Sequence, residues 1–158
     1  MSDALPWERR PAEGDGTRLI RLSWAGTAIS CTTSVLNAVT GDRNDFGLSA
    51  VPALLMLAAG SVIFLWAFLV AVGRSRTEQI DVVGLFFLVG CAPRRVQVTM
   101  MASVAVQTAV PLAVAIVRPF TAFAVLAPVW SLGLAGLWGA RHGTFPPRVA
   151  DAPDSRHG

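Results

Sequence analysis

The sequence contains no lysine and few charged residues of any kind. All thirteen basic residues are arginine, and charged residues make up 15% of the 158 positions, against 53% hydrophobic residues. A soluble globular domain of this length carries a larger charged fraction, so the composition argues against that class and indicates a membrane protein. The arginines stand singly or in pairs at the ends of apolar segments, and we therefore predict no nucleic-acid partner.

Motifs for metal binding and catalysis are also absent from the sequence. Cys31 and Cys91 form no CxxC pair and have no histidine nearby, and both are interpreted as unpaired packing thiols. We recognise no HExxH motif, no phosphate-binding glycine loop, and no nucleophile with a matching base and acid. The sequence therefore predicts no catalytic residue, no metal, no cofactor and no enzymatic activity.

Long segments without charge provide the main structural signal. A helix of about 20 residues crosses the ~30 Å hydrocarbon core of a bilayer. Three segments meet this requirement clearly, and they are residues 48–72, 96–117 and 120–140. The last two are separated by Arg118 and Pro119, which predicts a helical hairpin.

A fourth segment, residues 22–40, is rich in serine and threonine. Small residues recur in it every four positions, at Gly26, Ser30, Ser34 and Ala38. On a helix these positions form one continuous stripe that lets neighbouring backbones approach closely. We therefore expect this segment to cross the membrane with its stripe against other helices.

The distribution of arginines predicts the orientation of these segments. With four crossings, eleven arginines lie on one side, and only Arg43 and Arg118 lie on the other. Because cytoplasmic loops are enriched in basic residues, both termini are predicted to be cytoplasmic, with the protein in the inner membrane of a bacterium.

The apolar run at residues 80–91 is too short to be a fifth crossing. Twelve helical residues span about 18 Å, and a longer helix would bury Arg94 and Arg95 in lipid. We predict a short cytoplasmic element that is either interfacial or re-entrant. The predicted fold is thus an all-α, antiparallel four-helix membrane bundle over residues 19–142, flanked by flexible tails at residues 1–18 and 143–158.

Several residues are candidates for helix packing. Gly133, Gly136 and Gly139 lie on the last segment, and Asn37 and Gln107 are amides within the four segments. The small residues are expected to pack within the bundle or against a second copy, and the amides to bond to neighbouring helices. No Asp, Glu, Lys, Arg or His lies within the four segments, which disfavours proton- or sodium-coupled transport.

Four arginines bracket the short apolar element and have two interpretations. Arg74, Arg76, Arg94 and Arg95 could contact anionic lipid headgroups, or they could serve only as topology signals. Both interpretations remain open at this stage.

Residues 74–148, which include "IDVVGLFFLVG" and "VRPFTAFAVLAPVWSLGLAGLWGARHG", resemble small uncharacterised membrane proteins of actinobacteria. The resemblance implies a source and an envelope location and carries no activity.

Our leading hypothesis is a non-enzymatic accessory or scaffold subunit that acts through helix packing. Its expected partners are membrane lipids and another membrane protein or a second copy of the chain. The alternative is a small transporter or channel for a neutral or lipid-like solute, with Gln107 and prolines in its lining. A polar cavity at Gln107 would favour the transporter, whereas a tightly filled bundle with exposed small-residue stripes would favour the subunit.

Overall fold

The chain is helical through most of the part that the structure describes. The computed structural model describes residues 13–40 and 47–148, without the side chains of residues 13–15, 120 and 121. The elements are α1 (Glu13–Thr40), α2 (Gly47–Arg74), α3 (Val82–Phe87), α4 (Arg94–Val117), a 3-10 helix (Pro119–Leu126) and α5 (Pro128–His142). An isolated β-bridge joins Glu78 to Pro147, and no strand occurs in these two ranges.

Three helices of the described chain are long and apolar enough to cross a membrane. They are Gly47–Arg74, Arg94–Val117 and the combined helical segment Ala122–His142. The predictions of an all-helical chain and of membrane character are confirmed at this level. The serine-rich α1 is not among the three, because its hydroxyl groups lower its mean hydropathy.

The helices differ from their predicted bounds at two places. α1 begins at Glu13, so residues 13–18, predicted as part of a tail, are helical. Leu19 and Ile20 pack against a buried cluster, which extends the helix towards its N-terminus. The last predicted segment is divided, because a 3-10 helix ends at Leu126 and the α-helix begins at Pro128, whose missing N–H suits only the first turn of a helix.

Hydroxyl groups in α1 bond to the carbonyls of the preceding turn. Thr27 Oγ1 donates to Ser23 O at 3.0 Å, and Ser34 Oγ donates to Ser30 O at 2.7 Å. Thr40 Oγ1 donates to Leu36 O at 2.8 Å in the same way. These bonds satisfy the hydroxyl groups within the helix, so a serine- and threonine-rich helix can lie in apolar surroundings.

Helix α5 lies at the centre of the fold. It contacts α1, α2, α3 and α4. Ser131 and every residue from 133 to 140 are buried, although four of these nine residues are glycine or serine. The small side chains allow the surrounding helices to pack directly against the α5 backbone.

Helix α3 is the structured part of the predicted element at residues 80–91. Asp81 caps its first turn by accepting a hydrogen bond from Gly84 N at 2.7 Å. Leu88 then adopts a left-handed conformation with φ of 59°, which reverses the chain towards α4. The apolar side chains of the element divide between a buried set (Leu85, Phe86, Leu88) and an exposed set (Val82, Val83, Phe87, Val89).

The chain after α5 packs against the rest of the fold, whereas a flexible tail was predicted from residue 143. Thr144 N donates to Cys91 O at 3.0 Å, and Gln79 N donates to Pro146 O at 2.9 Å. Phe145 is 8% exposed and belongs to the buried cluster around Trp138. Residues 143–148 therefore form a docked segment, which we call the C-terminal strap. The remaining parts of the predicted tails, which are residues 1–12 and 149–158, and the connection containing Arg43 lie outside the described residues.

Candidate functional site

Hydroxyl groups join α1 to α4 in the interior of the fold. Ser103 Oγ donates to Met100 O at 2.8 Å, so Ser23 Oγ is the donor in its 2.6 Å hydrogen bond with Ser103. Thr27 Oγ1 also lies 3.4 Å from Ser103 O. Ser23, Thr27 and Ser103 are all buried. The polar face of α1 therefore meets a polar position of α4 rather than an apolar core.

Gln107 is the polar centre of the interior. Its side chain is fully buried, Ser131 Oγ donates to its Oε1 at 2.5 Å, and its Nε2 lies 3.7 Å from Met56 Sδ. A thioether is a weak acceptor, so the bond to Ser131 is the stronger of the two. The amide predicted to bond to a neighbouring helix thus has partners on α5 and α2.

Asn37, the other predicted amide, lies at the end of α1. Its Nδ2 donates to Ser49 Oγ at 2.6 Å, and both residues are buried. The bond joins α1 to the first turn of α2. The structure therefore places Asn37 and Gln107 in separate interhelical contacts and does not bring them together.

The small residues of α1 are directed into the fold. Gly26, Ser30 and Ser34 are buried and Ala38 is half-buried. A methyl group on Gly26 would overlap the indole of Trp130, whose Nε1 donates to Leu22 O at 3.2 Å. The stripe is therefore covered by other helices of the same chain.

The three glycines of α5 contact two different helices. A methyl group on Gly133 would lie 2.7 Å from Gly60 O of α2. A methyl group on Gly136 would overlap the ring of Phe86, and one on Gly139 would lie 2.5 Å from Leu85 O of α3. Gly133 thus allows close approach of α2, whereas Gly136 and Gly139 form the surface on which α3 rests.

Stacked aromatic rings hold α3 between two other helices. The ring of Phe86 stacks on Phe64 of α2 with 4.1 Å between centroids and 10° between planes. Because Gly136 has no side chain, the other neighbour of Phe86 is the surface of α5. The sequence predicts a cytoplasmic element at residues 80–91, but no pattern in it indicates that Phe86 is the anchor of this element.

Arg74, at the end of α2, binds the end of α5. Its Nη1 donates to Ala140 O at 2.7 Å, and its Nη2 donates to Gly143 O at 3.1 Å. Nη2 also pairs with Glu78 Oε2 at 2.7 Å, and the guanidinium carbon lies 5.9 Å from the ring centroid of Phe145. A cation is favourable at these carbonyls because of the helix dipole. Arg74 is therefore engaged within the protein, which limits its predicted contact with lipid.

The other three arginines predicted to contact lipid are exposed. They are Arg76, Arg94 and Arg95. The ion pair of Arg74 with Glu78 involves none of them, and α4 carries no acidic residue in its first turn. Their contact with anionic headgroups remains a prediction.

Cys91 carries a buried thiol that lies against α3. Its Sγ donates to Gly84 O at 2.9 Å. Burial, which costs the thiolate its hydration, and to a smaller extent the nearby charge of Asp81 together raise the pKa of this thiol to about 11. Cys91 and Cys31 are both free, as interpreted from the sequence. A thiol with this pKa is protonated at neutral pH and is a poor nucleophile.

The side chains that form hydrogen bonds with the predicted packing residues were not recognised in the sequence. Ser103 and Gln107 are spaced one helical turn apart on α4, and this spacing could have indicated a shared polar face. Ser131 and Ser49 carry no comparable signal, because isolated serines are common in helices of all kinds. The pairing of Glu78 with Arg74 was recognisable from its four-residue spacing.

In the described residues, uncharged polar side chains form hydrogen bonds between helices in the interior. No group of three histidine, cysteine or acidic residues that could hold a metal ion occurs within residues 13–40 and 47–148. The chain matches no known protein family model, no curated protein and no solved structure. The described chain is thus a helical protein with three helices long and apolar enough to cross a membrane.

Proposed function

We propose that the protein is a small, non-enzymatic integral membrane protein of the bacterial inner membrane that acts as an accessory or scaffold subunit. The observation that carries this role is the interior at Gln107, where the amide is 0% exposed and is occupied by Ser131 and Met56. An amide that is bonded in this way connects helices and is not accessible to a solute. This arrangement speaks against a solute path at Gln107. The small-residue stripes, which a subunit was expected to expose, are covered within the chain, so the proposed partner binds the outward apolar faces instead.

The proposal includes four crossings, with α1 as the least apolar of them. The side chains of α1 that face the interior are polar, and Ser23, Ser34 and Asn37 are no more than 5% exposed. From Leu22 onward most of its outward side chains are apolar, and Ile29 is 51% and Val39 is 75% exposed. A surface helix of a soluble protein has the opposite arrangement. Lipid around α1 accounts for this inversion.

The contacts of α1 with α4 support a common direction for these helices. Ser23 approaches Ser103, and eight residues later Cys31 approaches Val106 with 4.0 Å between Sγ and the carbonyl oxygen. The partner numbers rise together along both helices. The proposed bundle therefore has the N-terminal ends of α1 and α4 on the same side.

The contacts of α5 support the opposite direction for that helix. Gly26 of α1 faces Trp130, whereas Gly16, more than two turns earlier in α1, faces Trp138. Gly60 of α2 also faces Trp130, near the start of α5. Arg74, later in α2, contacts the end of α5, so α2 and α5 run in the same direction. In the proposed antiparallel bundle, α2 and α5 return to the side from which α1 and α4 start.

The charges at the two ends of this bundle support cytoplasmic termini. Arg118 lies where α4 ends. The other described arginines lie where α1 and α4 begin or where α2 and α5 end, and they are Arg18, Arg21, Arg74, Arg76, Arg94, Arg95, Arg141 and Arg148. The basic end of a membrane protein faces the cytoplasm.

The topology is tested by fusing a periplasm-dependent reporter at different points of the chain. We expect activity for fusions after Arg43 or at Arg118, and silence for fusions at either terminus. Activity at a terminus, or silence after Arg43, would overturn the four-crossing arrangement.

The role as a subunit is tested by photo-crosslinking in cells. A photoreactive amino acid is placed at three outward positions on different helices, Val39, Leu65 and Ile116, which are 75%, 61% and 78% exposed. We expect one of these positions to yield a discrete protein adduct, and the same adduct to form in a Gln107→Leu variant. Lipid adducts alone at all three positions would reject the subunit role. Loss of solute flux in proteoliposomes with Gln107→Leu would instead favour the transporter.

A further inference from the structure

Helix α3 packs against the apolar parts of α2 and α5. Its Phe86 stacks on Phe64 of α2, and a methyl group on Gly136 of α5 would overlap the same ring. Phe64 precedes Arg74 by ten residues, and Gly136 precedes His142 by six. At about 1.5 Å per residue, these separations are about 15 Å and about 9 Å along the two helices. Phe86 therefore lies inside the charged ends of both helices that hold it.

The part of α2 that follows Phe64 is a lipid-facing surface in the proposed bundle. Residues 65–73 contain no charge, and Leu69 and Val72 are exposed. These outward apolar side chains lie between Phe64 and the cytoplasmic end of the helix. Because the hydrocarbon of the bilayer covers them, it also reaches the deeper level at which Phe86 packs.

Side chains bond to the carbonyl groups at the end of α3. A helix leaves its last four carbonyls without partners of its own, and at a wet surface water would bond to them. Cys91 Sγ donates to Gly84 O at 2.9 Å, and Gln97 Nε2 donates to Phe87 O at 3.2 Å. Backbone groups at membrane depth need such partners within the protein. Both bonds therefore suit a helix that ends away from water.

One face of α3 is left uncovered by these contacts. Val83 and Phe87 are four residues apart, which places them on the same face, and they are 54% and 50% exposed. The chain carries no charge from residue 82 to residue 93. After α3 it returns to the end of α5, where Thr144 N donates to Cys91 O at 3.0 Å. The exposed face thus belongs to the inner part of an uncharged loop.

We propose that α3 is a re-entrant helix and that its face at Val83 and Phe87 contacts the acyl chains of the cytoplasmic leaflet. The sequence alone allowed an interfacial or a re-entrant element, and the depth of Phe86 and the bonded carbonyls favour the second. This placement rests on the proposed crossing of the membrane by α2 and α5. The face is separate from the outward positions on α1, α2 and α4 at which a partner subunit is sought.

The test attaches a nitroxide label to the full chain in phosphatidylcholine vesicles. The label is placed at Phe87→Cys in a protein that also carries Cys31→Ser and Cys91→Ser, the second of which keeps a hydrogen-bond donor. Oxygen concentrates in hydrocarbon, whereas a water-soluble nickel complex is excluded from it. We expect the ratio of oxygen to nickel relaxation at Phe87 to match that of a lipid-facing control, Leu65→Cys. The ratio should exceed that of a polar control, Arg76→Cys.

A second label and the two controls separate the outcomes. Val83→Cys, one turn earlier on the same face, is also expected to favour oxygen over nickel. Nickel access at Phe87 with oxygen preference at Leu65 would place α3 at the surface and overturn the re-entrant helix, while the crossing of α2 would stand. A label at Phe87 that is protected from both reagents would show that protein covers the face, and would overturn it as well. Nickel access at Leu65 would reject the crossing and the insertion of α3 together.

Discussion

Ser131 Oγ of α5 lies 2.5 Å from Gln107 Oε1 of α4, and both side chains are fully buried. The two residues are 24 positions apart, on either side of the 3-10 helix. In a fully buried interior, an unpaired amide has no water to bond to, so this contact ties the two helices together. It also defines the clearest test of whether the interior is structural.

Ser131→Ala should lower the free energy of unfolding by about 0.6–2 kcal/mol, because it leaves Gln107 Oε1 without its donor. Adding Gln107→Leu should recover part of this loss, because the orphaned amide is then removed. A double-mutant cycle of denaturant unfolding in mild detergent measures the coupling. Thr108→Val is the control, since the Thr108 hydroxyl bonds to Val104 O within α4. Additive single and double effects would contradict a direct bond.

Gly136→Leu should separate α3 from α5, because even a methyl group at this position overlaps the ring of Phe86. We expect a loss of about 1–3 kcal/mol in the free energy of unfolding, as is typical of overpacking. Gly73→Ala is the matched control, since a methyl group there meets nothing within 4 Å. That change should be neutral or stabilise by up to about 1 kcal/mol, because alanine favours a helix. Equal unfolding midpoints for Gly136→Leu and the parent would reject the packing role.

The membrane-like helices were the most predictable part of the fold. Lipid requires long apolar segments, so hydropathy alone located α2 and α4 to within a few residues. The pairing of Ser23 with Ser103 was not predictable, because the spacing of residues along one helix does not say which helix lies beside it. The C-terminal strap was also missed, since Phe145 is a single apolar residue within a polar, proline-containing segment and leaves no periodic signal.

Arg74→Gln should release the C-terminal strap. The guanidinium binds Ala140 O and Gly143 O, and hydrogen bonds from a charged group are worth about 1.5–3 kcal/mol each. The amides of Thr144 and Arg148 donate to Cys91 O and Thr77 O, so their hydrogen exchange should accelerate about tenfold or more. Arg76→Gln removes the same charge from an exposed position and should leave exchange unchanged. Protection that survives in Arg74→Gln would show that the backbone bonds alone hold the strap.

The buried thiol of Cys91 predicts how stability changes with pH in the alkaline range. The chain contains no lysine and no tyrosine, so these residue types do not contribute in this pH range, and Cys31→Ser leaves Cys91 as the remaining thiol. The pKa of Cys91 is about 11 in the folded protein, against an ordinary value of 9.0. Between these values the unfolded chain has lost this proton and the folded protein retains it.

Stability should therefore be independent of Cys91 below pH 9 and should fall as the pH rises from 9 towards 11. The measurement compares unfolding midpoints across this range for Cys31→Ser and for the same protein with Cys91→Ala added. The slope between pH 9 and 11 should disappear in the second variant, because alanine has no proton to lose. Alkylation of Cys91 should likewise be slow at neutral pH, since the thiolate is the nucleophile. A slope that persists without Cys91 would assign the alkaline destabilisation to another group and reject the buried thiol as its cause.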